Sequence, residues 1–186
     1  RFALPLAASS ILQLLFNAAD VIVIGQFSTS VSLAAVGADG LITGLFANIM
    51  LNLSVGATVL ASKYLGAGEN NRVHGIVDMS MTLAVGTGIF FMIAMYFAGR
   101  PFLRLLKTPQ EVMEPALRYL YFYLPGLPGV ALYNFGAGLL RAKGDTRRPF
   151  FFLLVSGILN VFMNLFFVLA CRMDVAGVAL ATTISQ

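Results

Sequence analysis

The sequence has 186 residues, 59% hydrophobic and only 11% charged, with a formal charge of +4 and a mean hydropathy of +0.86. A soluble globular domain carries about 25% charged residues, so this composition argues for an integral membrane protein. The basic residues sit in short connectors rather than in a strip interleaved with exposed aromatics, which argues against a nucleic-acid partner.

A bilayer core about 30 Å thick needs roughly 20 helical residues to cross it. Five complete spans are predicted, at about 2–27, 34–62, 75–98, 116–142 and 150–170, and a sixth opens near Val175 and is cut off at Gln186. The segments lack the short alternating strands of a β-barrel. The chain opens on Arg1, and Phe2 already lies in an apolar run. That run is too long for a signal-peptide core, so a fragment starting inside or just before its first helix is expected.

Span one carries Ser9, Gln13, Asn17 and Asp20 at spacings of four, four and three, which is one face of an α-helix. A charged Asp at the centre of a membrane helix costs about 2.5–3.5 kcal/mol on insertion scales. Such a residue is tolerable when it faces protein or water, or when it is protonated. Asp20 is therefore read as functional. Pro5, fifteen residues earlier, either bends the helix or sits harmlessly in its first turn.

Span two has Asn48 and Asn52 on one face and Ser54, Thr58 and Ser62 on another. Interhelical bonds from such residues average about 0.6 kcal/mol, and gluing helices together is the expected role of Asn48, Asn52, Ser54 and Thr58. Gly66-Ala67-Gly68-Glu69-Asn70-Asn71 then reads as a turn. After span three, Arg104 and Lys107 share a face of an expected interfacial amphipathic segment at 102–107, and Pro109 breaks the stretch. Pro125-Gly126-Leu127-Pro128-Gly129 weakens span four at its middle, as a permanent kink or a hinge. A basic connector, 141–149, follows. Ser156, Asn160 and Asn164 share one face of span five, and the two asparagines fit gluing or function alike. Thr182 and Thr183 lie on the sixth.

Arg1, Lys63, Arg72, Arg141, Lys143, Arg147 and Arg148 flank the N-terminus and the connectors after spans two and four, and the connector after span one has no Lys or Arg. The bias predicts that the N-terminus and those two connectors are cytoplasmic. No enzymatic constellation is read. His74 is the only histidine and lies in a connector, no Cys/His metal set exists, and Gly66-Ala67-Gly68 does not follow a strand as a phosphate loop would.

Several stretches go together: Pro5 with Asp20, AADVIVIGQF ending at Phe27, Leu33-Ala34-Ala35-Val36-Gly37, Asn52-Leu53-Ser54-Val55-Gly56, Gly66-Ala67-Gly68, Tyr119-Leu120, Leu140 to Pro149, and Leu159-Asn160-Val161-Phe162-Met163-Asn164. In order and spacing they resemble the N-terminal half of a multidrug and toxic compound extrusion (MATE) transporter, of the DNA-damage-inducible type. The resemblance covers essentially the whole chain. It implies an all-α transmembrane fold of twelve helices in two lobes. Residues 1–186 would be the N-terminal lobe, with five complete helices and the start of a sixth, and the C-terminal lobe would be the missing partner. It also implies export of amphipathic or cationic drug-like molecules in exchange for H⁺ or Na⁺, with no other cofactor, across a bacterial or archaeal cell membrane.

The resemblance makes Asp20 the ion-coupling carboxylate and sets Asn160 and Thr182 in the same site, with Asn164 beside them. Gln13, Asn17 and Ser156 extend the polar stripe into the cavity, and Pro5, Pro125 and Pro128 are the bending points. Many relatives have Asp where this chain has Asn164. One carboxylate offsets less of a cation's dehydration than two, which favours H⁺ and leaves Na⁺ open. Met50, Tyr123 and Phe135 are candidate substrate contacts. The alternatives are a lipid-linked oligosaccharide flippase of the same superfamily, disfavoured because the basic residues sit at helix ends, and a non-transporting membrane scaffold.

Overall fold

The computed structural model describes residues 3–186, with side chains from residue 7 onward. Seven helices follow in order: α1 Ala3–Phe27, α2 Ser30–Gly66, α3 Asn70–Leu105, α4 Gln110–Tyr123, α5 Leu127–Ala142, α6 Arg147–Leu165 and α7 Asp174–Ser185. A 3₁₀ turn, Leu124–Gly126, joins α4 to α5, and a π turn, Phe166–Ala170, extends α6. Four helical segments, Ala7–Phe27, Ser30–Gly66, Asn70–Leu105 and Arg147–Ala170, are long and apolar enough to cross a membrane. At 37 residues, α2 is about 55 Å long and outruns a 30 Å hydrocarbon core.

The boundaries differ from the expected spans in three places. Spans two and three are each longer at both ends, because caps rather than hydropathy set where these helices stop. Thr29 caps α2, its hydroxyl oxygen accepting from Ser32 N at 3.2 Å. At the other end Gly68 turns left-handed, with φ +74°, and Glu69 N reaches back to Tyr64 O at 3.0 Å. Span four is two helices rather than one, since Pro125 and Pro128 each stand at the start of a new helical turn, where no N–H is needed. Of the expected interfacial segment at 102–107, residues up to Leu105 form the last turn of α3, and Lys107 beyond it is left-handed, φ +57°. Leu103 is fully buried there, so packing holds that turn to the bundle.

The basic connector gets its shape from one carboxylate. Gly144 is left-handed, φ +82°, and Asp145 Oδ1 then accepts from Arg147 N and Arg148 N, both at 3.1 Å, satisfying the free amides at the head of α6. At the opposite end of the bundle Ser32 Oγ donates to Asp174 Oδ2 at 2.7 Å, tying the start of α2 to that of α7.

α2 packs on α4 and α5, α3 on α5, α4 on α7, and α6 on both α1 and α7. The main core joins Val23 and Ile24 of α1, Ala35, Ile42 and Phe46 of α2, Met95 and Leu103 of α3, the buried face of α4, and Val175, Val178 and Ala179 of α7. A smaller cluster joins Met50, Ala84, Ala131 and Phe135. Small residues permit the closest approaches, as expected for helices in lipid. A Cβ on Gly88 would lie 2.5 Å from Pro128 Cα, and one on Gly157 would strike the ring of Phe16.

Candidate functional site

Four residues singled out in the sequence come together where α1, α6 and α7 meet. Asn164 donates from Nδ2 to Asp20 Oδ1, across 144 residues of sequence. The same nitrogen donates to Asn160 Oδ1 at 3.1 Å, Asn160 Nδ2 donates to Thr182 Oγ1 at 3.1 Å, and Thr182 Oγ1 donates to Val178 O at 3.0 Å. Asn160 and Asn164 are buried, whereas Asp20 and Thr182 are half-buried.

The orientation of each amide follows from Thr182. Its single hydroxyl hydrogen is spent on its own helix, so it can only accept from Asn160. Asn160 must therefore present its NH₂ to Thr182 and its oxygen to Asn164. Asn164 in turn must present its NH₂, which reaches Asp20. The chain of donors leaves one atom over: Asn164 Oδ1 is buried and has no hydrogen-bond partner among the described residues. A buried acceptor beside a carboxylate suits a proton donor or a small cation. Asp20, Asn160, Asn164 and Thr182 offer an oxygen-only donor set of the kind hard monovalent cations use, with a single negative charge in it.

The other expected residues lie outside this network. Gln13 and Asn17 are exposed on α1, and Ser156 is half-buried on α6. Pro125 and Pro128 flank the 3₁₀ turn, and the side chain of Pro5 falls outside the described residues. Met50 and Phe135 are fully buried in the smaller core cluster, so they are packing residues here rather than substrate contacts, and Tyr123 is buried against Tyr119, ring centroids 6.1 Å apart. Asn48 and Asn52 do not glue helices, because both are exposed and bond the carbonyls of Gly44 and Asn48 in their own helix. Ser54 and Thr58 likewise bond α2's own carbonyls.

Sequence reading missed Asp39. This acid sits in α2 on the stripe with Ala35, Val36 and Ile42, fully buried. An acid within an apolar span is the same signal that marks Asp20. A cavity of about 480 Å³ elsewhere is lined by Arg100, Glu114, Arg118 and Asp174 and does not include Asp20.

The MatE family model matches residues 5–166. This chain belongs to the MatE family. The probable multidrug resistance protein YpnP of Bacillus subtilis is 29% identical to this MatE chain, over all of the chain and 42% of its own length. The DNA damage-inducible protein F of Escherichia coli is 27% identical, over all of the chain and 40% of its own length. A crystal structure of MATE in the bent conformation overlays with a TM-score of 0.93 at 26% identity, covering all of the chain and 41% of that protein. The chain thus spans about two fifths of the length of these relatives, one lobe of the MATE fold, and it is a multi-pass membrane protein.

Proposed function

We propose that residues 1–186 form the N-terminal lobe of a secondary active efflux antiporter, which exports amphipathic or cationic small molecules in exchange for H⁺, with Na⁺ as the other coupling ion to test, and that Asp20 is its coupling carboxylate. The observation that supports this reading is the hydrogen bond from Asn164 to Asp20. It makes one ionisable group the link between α1 and α6.

The chemistry follows from what a proton does to that link. Uptake at Asp20 removes a charge from the bundle and converts an acceptor-only carboxylate into a group with a donor. Asn164 Oδ1, unpaired and buried, belongs to the amide that already touches Asp20, and it can take that donor. The α1–α6 seam then has two bonding patterns, one for each charge state. If α1 repacks or bends between them near Pro5, the cavity lined by Gln13, Asn17 and Ser156 changes shape and its affinity for substrate changes with it. Only such a difference in affinity between two states can couple ion to substrate. Pro125 and Pro128 are the proposed bending points in the α4–α5 span. The second lobe is the partner against which this one rocks. The N-terminus faces the cytoplasm of a bacterial or archaeal cell, lipid surrounds the lobe, and the ion is the only cofactor required.

The test is efflux by the full-length protein in liposomes, wild type against Asp20→Asn, under separate H⁺ and Na⁺ gradients. Wild-type efflux should follow one gradient, and the variant should lose the gradient-driven part. A correctly folded Asp20→Asn that exports like wild type would remove Asp20 from the mechanism.

A further inference from the structure

Asp39 takes no part in the network around Asp20. It lies on the stripe by which α2 faces the core, flanked one turn away on either side by Ala35 and Val36 and by Ile42, and its exposure is 0%. Among the described residues neither carboxylate oxygen has a hydrogen-bond partner. The core around this stripe is almost wholly apolar. Val23 and Ile24 enter it from α1, Met95 from α3, Leu127 from α5 and Val178 from α7, and its ionisable members are Tyr119 and Tyr123 of α4. Tyr119 lies within electrostatic reach of both Asp39 and Asp20. The next acid, Asp174 of α7, is held by Ser32, seven residues back along α2 and about 10 Å away along its axis. Among the described residues no lysine, arginine or histidine is buried with Asp39.

An ionised carboxylate without donors or a counter-charge is not tolerated in such surroundings. A metal cation would need several further ligands, and among the described residues no group of three or more His, Cys, Asp or Glu stands together to supply them. A proton needs none. We propose that Asp39 is a second proton-binding site of this lobe, separate from Asp20. The two acids lie at similar depth. Asp20 is about 10 Å from the Phe27 end of α1, and Asp39 about 14 Å from the adjoining Ser30 end of α2, at 1.5 Å per residue. Such a lobe binds up to two protons. This inference does not rest on Asp20 being the coupling group.

Infrared difference spectra of the full-length protein in lipid, taken between acid and alkaline buffer, report protonated carboxyl groups directly through their C=O stretch. Asp39→Asn should delete one band arising in an apolar environment, and Asp20→Asn should leave that band in place. Asp39→Glu keeps the carboxyl and should move the same band in frequency, which provides the reading if the amide variant does not fold. A spectrum unchanged by both Asp39→Asn and Asp39→Glu would overturn the proposal. Loss of the apolar band in Asp20→Asn, with the same band kept in Asp39→Asn, would do the same, whatever Asp20→Asn does to transport.

Discussion

Asp20 meets the rest of the site through one amide, and the identity of that amide decides what the site can hold. Asn164 donates to Asp20 and to Asn160 with the same nitrogen, and keeps its oxygen unpaired. A carboxylate at position 164 would have no hydrogen to donate. It would add a second negative charge beside the first, and two like charges at contact distance need a cation or a shared proton between them. Asn164→Asp should therefore move the coupling preference towards Na⁺. We expect the ratio of Na⁺-driven to H⁺-driven efflux to rise about tenfold, which corresponds to about 1.4 kcal/mol. Efflux under separate gradients gives this ratio, and an unchanged ratio would put the choice of ion elsewhere. The helical period of span five put Asn160 and Asn164 on one face, Asp20 stood out as a lone acid inside span one, and the MATE resemblance set them in one site with Thr182. The order of donors was not legible, because it depends on which carbonyl Thr182 bonds.

Among the elements, the divided α4–α5 span shows how a membrane helix tolerates two prolines. Each proline starts a new turn, where its missing N–H is not needed, but the carbonyls at the end of α4 lie at a break in the helical ladder, and in lipid no water reaches them. Thr183 of α7 supplies a donor. Its hydroxyl donates to Phe122 O at 2.8 Å, with Tyr123 O at 3.4 Å. Gly126 lets α7 come that close, since a Cβ there would be 3.1 Å from Thr183 Cα. Thr183→Val keeps the shape and removes the donor. It should destabilise the protein by about 1 kcal/mol, while Thr183→Ser should cost less, as read by thermal unfolding in detergent. Equal stability of Thr183→Val and wild type would mean that the carbonyl finds another donor. The Pro-Gly cluster made the weak point legible in the sequence. Its partner, about sixty residues further on, was not, because a hydroxyl's target across a helix interface leaves no periodic trace. The turn around Leu103 is similar: Arg104 and Lys107 made its basic side legible, while the burial of Leu103 is set by the bundle it packs on.

At the scale of the whole molecule, the surface is too apolar for water. Phe97 and Leu105 are each 76% exposed and Met79 is 74% exposed, as lipid or a second lobe would require. Counting helices from a cytoplasmic N-terminus, with α4 and α5 taken as one crossing, sets the turn between α6 and α7 on the outer side. Cys171 lies in that turn, is exposed, and is the one cysteine in the sequence. A membrane-impermeant maleimide should label it in intact cells to the same extent as in permeabilised ones. Labelling only after permeabilisation would invert the topology and, with it, the side from which the proposed coupling site at Asp20 is reached.

Hydropathy, helical period and turn residues act over one to five turns of chain, and for that reason the sequence by itself determined the membrane setting, the helical spans and the polar faces of α1 and α6. The tertiary structure decided which faces meet. It joined Asp20 to Asn164 across 144 residues, left Asn164 Oδ1 as the spare acceptor, and enclosed Asp39 in apolar side chains drawn from α1, α3 and α7. Burial and hydrogen-bond direction are properties of neighbours that lie far apart along the chain, and no local pattern in the sequence carries them.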